Sequence, residues 1–180
     1  MIAQVARTLA DSAPRICVIE AGTGTGKTAA YCLAVIPLAK ALGKRVVISS
    51  ATVALQEQVV FRDLPDLKLH TDLDFTFALA KGRGRYVCLK RLDDRLNGGH
   101  EEEPLLFEAP GPNQLVIYDR MFQRFSNGLW NGELDDWDEP IDNDVWTDVV
   151  TDHRGCTNKR CAFFQQCPFF KARIDIETAD

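Results

Sequence analysis

The chain of 180 residues contains no uninterrupted apolar run approaching the roughly eighteen residues that a membrane-spanning helix needs, so no such helix is expected. Its opening, MIAQVARTLAD, lacks a basic head followed by a long apolar stretch, so no secretory leader is expected and the expected compartment is the cytoplasm. It lacks a positive balance: the formal charge is −5, which excludes a simple electrostatic nucleic-acid coat of the histone kind. It has no internal repeat and no tight Cys-x2-Cys pair of the sort zinc knuckles show. Nor does it contain Asp-Glu-Ala-His or Asp-Glu-Ala-Asp anywhere. Residues 81–170 have little patterned apolar sequence, so this part is expected to need a staple rather than a core of its own.

What is present is an ordinary globular balance, 46% hydrophobic and 26% charged, in a chain long enough for one sizeable core and a smaller appendage. The charge is unevenly placed. Residues 133–148 (ELDDWDEPIDNDVWTD) carry eight acids and no Lys or Arg, so the remainder sums to +3, and residues 81–91 (KGRGRYVCLKR) carry five bases and no acid. Only the local charge matters to a nearby phosphate. The acidic run, with Trp137 and Trp146 in it, reads as a solvated linker with two anchoring tryptophans.

The first half alternates between two hydrophobic periods. Ile2, Val5, Ala6, Leu9 and Ala10 follow helical spacing up to the block at Pro14. Residues 16–19, 46–48 and 75–79 are short β-branched or aromatic runs, read as buried strands. Between them lie a helix from Lys27 to Leu42, stopped by Gly43 and expected to kink or shorten at Pro37, and a helix capped by Thr52 that runs to Leu64-Pro65. Strand, helix, strand, helix, strand implies a parallel sheet covered by helices. Residues 93–112 read as loop, Gln114–Phe125 as one amphipathic helix, and Pro168 as the start of a last helix.

Directly after the first strand comes Glu20-Ala21-Gly22-Thr23-Gly24-Thr25-Gly26-Lys27-Thr28. The strict phosphate-loop pattern has Gly where Ala21 stands, but Gly24-x-Gly26-Lys27-Thr28 is intact. Glycines let successive backbone N–H groups turn toward phosphates, and the helix that follows offers its positive end to the same anion. Lys27 can reach the β- and γ-phosphates of a nucleotide and the Thr28 hydroxyl can ligate Mg²⁺, while Ala21, Gly22, Thr23, Gly24, Thr25 and Gly26 form the cradle.

A second pattern is Cys88, far upstream of Cys156-x4-Cys161-x5-Cys167-Pro168. Four thiolates suit Zn²⁺ or an iron–sulfur cluster, and a reducing compartment disfavours disulfides. The wide gaps and the proline after the last cysteine fit a cluster better, although spacing leaves both open. Cys17 and Cys32 read as small core residues.

With both motifs on the page, the chain resembles the DinG family of iron–sulfur DNA helicases, relatives of XPD in helicase superfamily 2. The likeness rests on Glu20–Thr28, on residues 47–58 (VISSATVALQEQ), on Gly82-Arg83-Gly84-Arg85-Tyr86-Val87-Cys88, on residues 141–146 (IDNDVW), and on the three-cysteine segment ending Cys167-Pro168-Phe169-Phe170. The resemblance implies an α/β fold: a RecA-like parallel sheet with its ATP-binding half at 1–80, an inserted, mainly helical iron–sulfur domain at 81–170, and a return into the motor domain from 171. It implies a [4Fe–4S] cluster on Cys88, Cys156, Cys161 and Cys167, ATP with Mg²⁺ at the loop, and single-stranded DNA crossing near Ser50 and Thr52. It also implies 5′-to-3′ unwinding of forked DNA or R-loops, with RNA–DNA hybrids as a further partner. The absent acidic box and second motor domain mark the chain as a fragment, expected to be inactive alone, monomeric and away from membranes.

Beside Cys88, the bases Lys81, Arg83, Arg85, Lys90 and Arg91 read either as a DNA path or as a solvated face, with Lys159, Arg160 and Lys171 near the other cysteines. Tyr86, Phe163 and Phe164 read as base-stacking groups or as packing of a small core. Two other function classes fit the residues: a P-loop phosphotransferase with a structural zinc site, and a catalytically dead DNA-binding module.

Overall fold

The computed structural model describes residues 1–11, 16–98 and 110–179. The expected stop at Pro14 and most of the expected loop at 93–112 therefore lie outside the described residues. The chain divides into two compact units, Met1–Leu79 with Asp175–Asp180, and Ala80–Ile174. Among the described residues no helix is long and apolar enough to cross a membrane.

In the first unit, α1 (Ile2–Ala10) turns Val5 inward and packs on α2 (Lys27–Ala41). Helix α2 buries Cys32 and Ile36, four residues apart on one face, and Ala34 on the opposite side. It runs on past Pro37 to Ala41 rather than being shortened there. The ring is exposed, so water can serve the carbonyl that Pro37 leaves without a donor. Thr52 caps α3 (Val53–Gln58), its Oγ1 accepting from Leu55 N–H at 3.3 Å. One π-helical turn, Val59–Asp63, then leads into α4 (Leu64–His70). Pro65 cannot donate back into the preceding turn, and widening that turn accommodates the missing bond. The core of this unit is Cys32, Ile36, Val59, Leu64, Leu67 and Phe75.

The runs at 16–19, 46–48 and 75–79 have no helical turns, but among the described residues no ladder joins them. Val18 and Val47 are 91% and 87% exposed, so burial of the first two runs is not what the structure shows. A strand exists only as a pair, and a β-branched apolar run specifies an extended path without specifying its neighbour.

The second unit does have a core, contrary to expectation. Val87, Leu89, Leu92, Tyr118, Met121, Val145 and Val149 pack with Trp130, Trp137 and Trp146. Trp130 sits edge-on to Trp137 at 5.0 Å and to Trp146 at 6.3 Å between ring centroids. Three indoles supply large apolar area without any periodic pattern, which is why the sequence looked core-poor. Helix α5 (Leu89–Asn97) carries on through 93–97, where a loop was expected, and ends on Gly98 at φ +66. It packs on α6 (Pro112–Ser126). Short α7 (Asn143–Asp148) buries Val145 and Trp146, and α8 (Pro168–Thr178) closes the chain. Tyr86 and Glu133 form the single antiparallel bridge among the described residues.

The acidic stretch is no solvated linker. Lys81 pairs with Glu133 and Asp135, Arg85 with Asp135, Arg120 with Glu139, Arg124 with Asp138, and Arg95 with Asp148. It is the internal counter-charge of the basic residues around it.

Candidate functional site

The glycine-rich loop runs from residue 21 into α2. Gly24 and Gly26 take φ of +74 and +72, left-handed values that side chains resist, so this path needs glycine at both positions. Gly26 is the residue before α2, and the first turn of that helix contains no acid. Its positive end is therefore not neutralised by its own side chains. Thr25 Oγ1 donates to Gly22 O at 2.9 Å, which tightens the loop. Lys27 Nζ donates to Ala21 O at 2.9 Å and Gly22 O at 2.6 Å, so the ammonium lies folded over the loop.

Lys27 and Thr28 line a cavity of about 700 Å³ together with Tyr31, Ser50, Gln58 and apolar residues of α1 and the first extended run. Burial raises the Tyr31 phenol above its ordinary value, and a hydrogen bond from Thr28 opposes this. Ser50 thus shares the cavity of the two loop residues, while its hydroxyl donates to Thr52 O at 3.1 Å. Tyr31 went unnoticed in the sequence. Its place one turn into the helix after Lys27 is the signal that could have found it. A glycine-rich backbone loop, an unneutralised helix N-terminus and a cation make a site that fits nucleotide phosphates.

In the second unit Cys88, Cys156, Cys161 and Cys167 line one cavity, walled by Tyr86, Val87, Leu89, Phe164, Phe169 and Phe170. The two outer members of the set sit alike. Cys88 immediately precedes α5, and its thiol faces the backbone N–H groups of Arg91 and Lys90; Cys167 immediately precedes α8 and faces those of Phe170 and Phe169. Burial raises both thiols above the ordinary range and these N–H groups pull the other way. Asn158, at φ +52 the one non-glycine left-handed residue among the described ones, places its N–H 3.5 Å from Cys156 Sγ. Asp152 Oδ1 accepts from Arg154 N–H at 2.9 Å and Gly155 N–H at 2.8 Å, shaping the turn that delivers Cys156.

Among the described residues no three of these sulfurs lie within 4.8 Å of one another. Four thiolates around one zinc ion at ~2.3 Å would stand only ~3.8 Å apart. The donor set, the apolar walls and the N–H groups aimed at sulfur fit a group held by thiolates.

The basic residues differ in their engagement. Lys81 is buried and Arg85 is held through Nε at 3.2 Å from Asp135. Arg83 stacks on Phe169 at 4.0 Å and on Phe170 at 5.5 Å. Tyr86 is buried, its hydroxyl accepting from Lys81 N–H at 3.0 Å, so it is core rather than a platform for bases. Lys159, Arg160 and Lys171 are exposed, and no carboxylate among the described residues pairs with them.

Comparison with known proteins adds to this geometry. The family model described as DEAD/DEAH box helicase matches residues 3–92. Across its whole length the chain is 40% identical to the ATP-dependent DNA helicase DinG of Salmonella typhimurium, 39% to that of Escherichia coli K12 and 38% to that of Photobacterium profundum. It spans about a quarter (26%) of the length of each of these curated relatives.

Proposed function

The chain belongs to the DEAD/DEAH box helicase family, whose nucleotide-binding domain is a P-loop, RecA-like fold, and from this we propose that it forms the ATP-binding and iron–sulfur part of an ATP-dependent DNA helicase. The observation that carries the reading is the coexistence of the loop at Gly24–Thr28, ahead of an acid-free helix start, with four cysteines lining one cavity. In this reading the runs at 16–19, 46–48 and 75–79 belong to the parallel sheet of the motor domain, and the cluster-bearing region is inserted into it.

The chain's own residues divide the work. Backbone N–H groups of Gly22–Gly26 and the start of α2 hold the β- and γ-phosphates, and Lys27 exchanges its two carbonyl partners for phosphate oxygens. The Thr28 hydroxyl would ligate Mg²⁺, which would supply positive charge against the phosphates. Cys88, Cys156, Cys161 and Cys167 hold a [4Fe–4S] cluster, which supplies a covalent staple between distant parts of the second unit. Single-stranded DNA, or the DNA strand of an RNA–DNA hybrid, is the polymer moved in the 5′-to-3′ direction in a cytoplasmic setting. Ser50, Thr52 and Arg83 belong to the proposed track, whereas Arg85 is already engaged by Asp135. Lys159, Arg160 and Lys171 are the cations open to phosphates, because no carboxylate among the described residues holds them.

Hydrolysis also needs a group that orients the attacking water, and these 180 residues contain no Asp-Glu-Ala-His or Asp-Glu-Ala-Asp box. The expected behaviour of this chain is therefore nucleotide binding with negligible turnover. Titration with a fluorescent ATP analogue, with and without Mg²⁺, tests this: binding abolished by Lys27→Ala is expected. A DNA-stimulated hydrolysis rate that Lys27→Ala removes would overturn the expectation of negligible turnover, and absence of nucleotide binding would overturn the reading itself. Anaerobic purification gives the second test, with iron and acid-labile sulfide expected, and stoichiometric zinc overturning the cluster.

A further inference from the structure

We propose that Gly132 is the positioning residue of the four-cysteine site, the point at which the Cys88 and Cys167 ends are set against each other. This rests on the reading that these cysteines hold an iron–sulfur cluster. Two independent contacts meet at Gly132. Its carbonyl accepts from Val87 N–H at 2.8 Å, one residue before Cys88, whose own N–H donates to Val149 O at 2.7 Å. Its Cα faces Pro168, the residue after Cys167. A Cβ there would collide with Pro168 Cγ and stand 3.0 Å from Pro168 Cβ and 3.2 Å from Phe125 Cε2.

No side chain fits between these groups. Gly132 is buried, and its φ of +89 adds a backbone reason for glycine to the steric one. The collision is with a ring that cannot swing away. Pro168 has a fixed φ and opens α8, so a push on its Cγ is passed to the peptide it shares with Cys167. On the other side, a displaced Gly132 carbonyl pulls on Val87 and hence on Cys88. The flanks of the two helix-capping ligands are thus coupled through one bare Cα. A rigid cluster tolerates little error in the separation of its thiolates, whereas the aromatic core has softer ways to absorb a methyl group.

The structure supplies a matched control. Gly128 has φ +69, yet a Cβ there meets nothing within 4 Å. Gly128→Ala carries the backbone penalty without the collision. The experiment compares the full chain with Gly132→Ala, Gly128→Ala and Pro168→Ala after anaerobic reconstitution with iron and sulfide. Tryptophan fluorescence reports the fold. The readouts are iron and sulfide per chain, the spectrum of the reduced cluster in electron paramagnetic resonance, and the rate of iron loss to a chelator. The unaltered chain is expected to hold about four irons. Gly132→Ala is expected to lose them about tenfold faster or more, as changes beside metal ligands do, with an altered spectrum. Gly128→Ala is expected to match the parent in both.

Loss rates and spectra that are the same for Gly132→Ala and Gly128→Ala overturn the proposal. If Gly132→Ala does not fold, Pro168→Ala decides. It removes the ring but leaves the glycine, and is expected to release iron faster; an unchanged rate and spectrum overturn the proposal. A parent chain that takes up no iron overturns the cluster reading and this proposal with it, whereas an iron-loaded parent beside an unaffected Gly132→Ala overturns this proposal alone.

Discussion

Lys81 and Asp135 meet across 54 residues of sequence, with Nζ 2.7 Å from Oδ2 and only 2% of the lysine side chain exposed. Glu133 shares the same ammonium, and the Lys81 backbone N–H donates to Tyr86 Oη. This buried cation joins the start of the second unit to its acidic stretch.

Removing it should be costly, because two carboxylates would stay behind with no ammonium between them. Lys81→Met is expected to destabilise the second unit by about 3 kcal/mol, the low end for breaking a buried pair since both acids keep some contact with water. Urea unfolding followed through the three tryptophans measures it. A loss below about 1 kcal/mol, the range of surface pairs, would show that the pair carries little of the unit's stability.

Strand binding should depend on which cations are already held. Arg85→Ala is expected to change affinity for an oligothymidylate little, since Asp135 engages its guanidinium. Lys159→Ala combined with Arg160→Ala is expected to weaken binding and to flatten the plot of log affinity against log salt by about 1.4, two phosphate contacts at ~0.7 each. Fluorescence anisotropy over a salt series distinguishes them. Equal slopes for the double variant and the parent would place the track elsewhere.

The turn before Cys156 should be acid-sensitive. The N–H of Gly155, and then that of Arg154, hold the Asp152 carboxyl below the usual carboxylate range. A lowered native pKa means the turn's full stability is present above the unfolded value of about 3.9 and is lost as pH falls through the lower native value. The amide resonances of Arg154 and Gly155 are expected to titrate with a midpoint under that value, and Asp152→Asn should abolish the titration. A midpoint at or above the ordinary carboxylate value would contradict the bonding described.

Cys32 should behave in the opposite sense. Burial, with a smaller contribution from Asp63, pushes its thiol up to about 11. A raised native pKa means the contribution to stability is complete below the unfolded value of about 8.5 and declines as pH rises toward the native one. Native protein at pH 8 is expected to leave Cys32 unalkylated by iodoacetamide until the first unit unfolds, as mass mapping would show. Early labelling of Cys32 would mean that α2 opens without global unfolding.

What could be read in advance follows from how local each signal is. The phosphate loop, the Thr52 cap and the helices at 2–10 and 112–126 depend on neighbours within a few residues, and the sequence shows them directly. The extended runs were visible as runs, but pairing is a relation between distant segments and composition does not encode it. The reading of 93–97 as loop failed because Asp93, Asp94 and Arg95 look solvated; in fact Arg95 is buried, 3.0 Å from Asp148, a partner 53 residues away. The acidic stretch was misread for the same reason, since its cations lie from 14 to 54 residues off. The four cysteines were legible as a set, whereas the glycine between their flanks carries no local mark.

One consequence of the cavity's composition concerns biosynthesis. Cys88 leaves the ribosome tens of residues ahead of the three cysteines that share its pocket, which at 5–20 residues per second is several seconds of synthesis. Throughout that interval the thiol stands without its companions and without the Phe169 and Phe170 wall. If these four thiols hold an iron–sulfur cluster, its assembly would have to wait until α8 has been made.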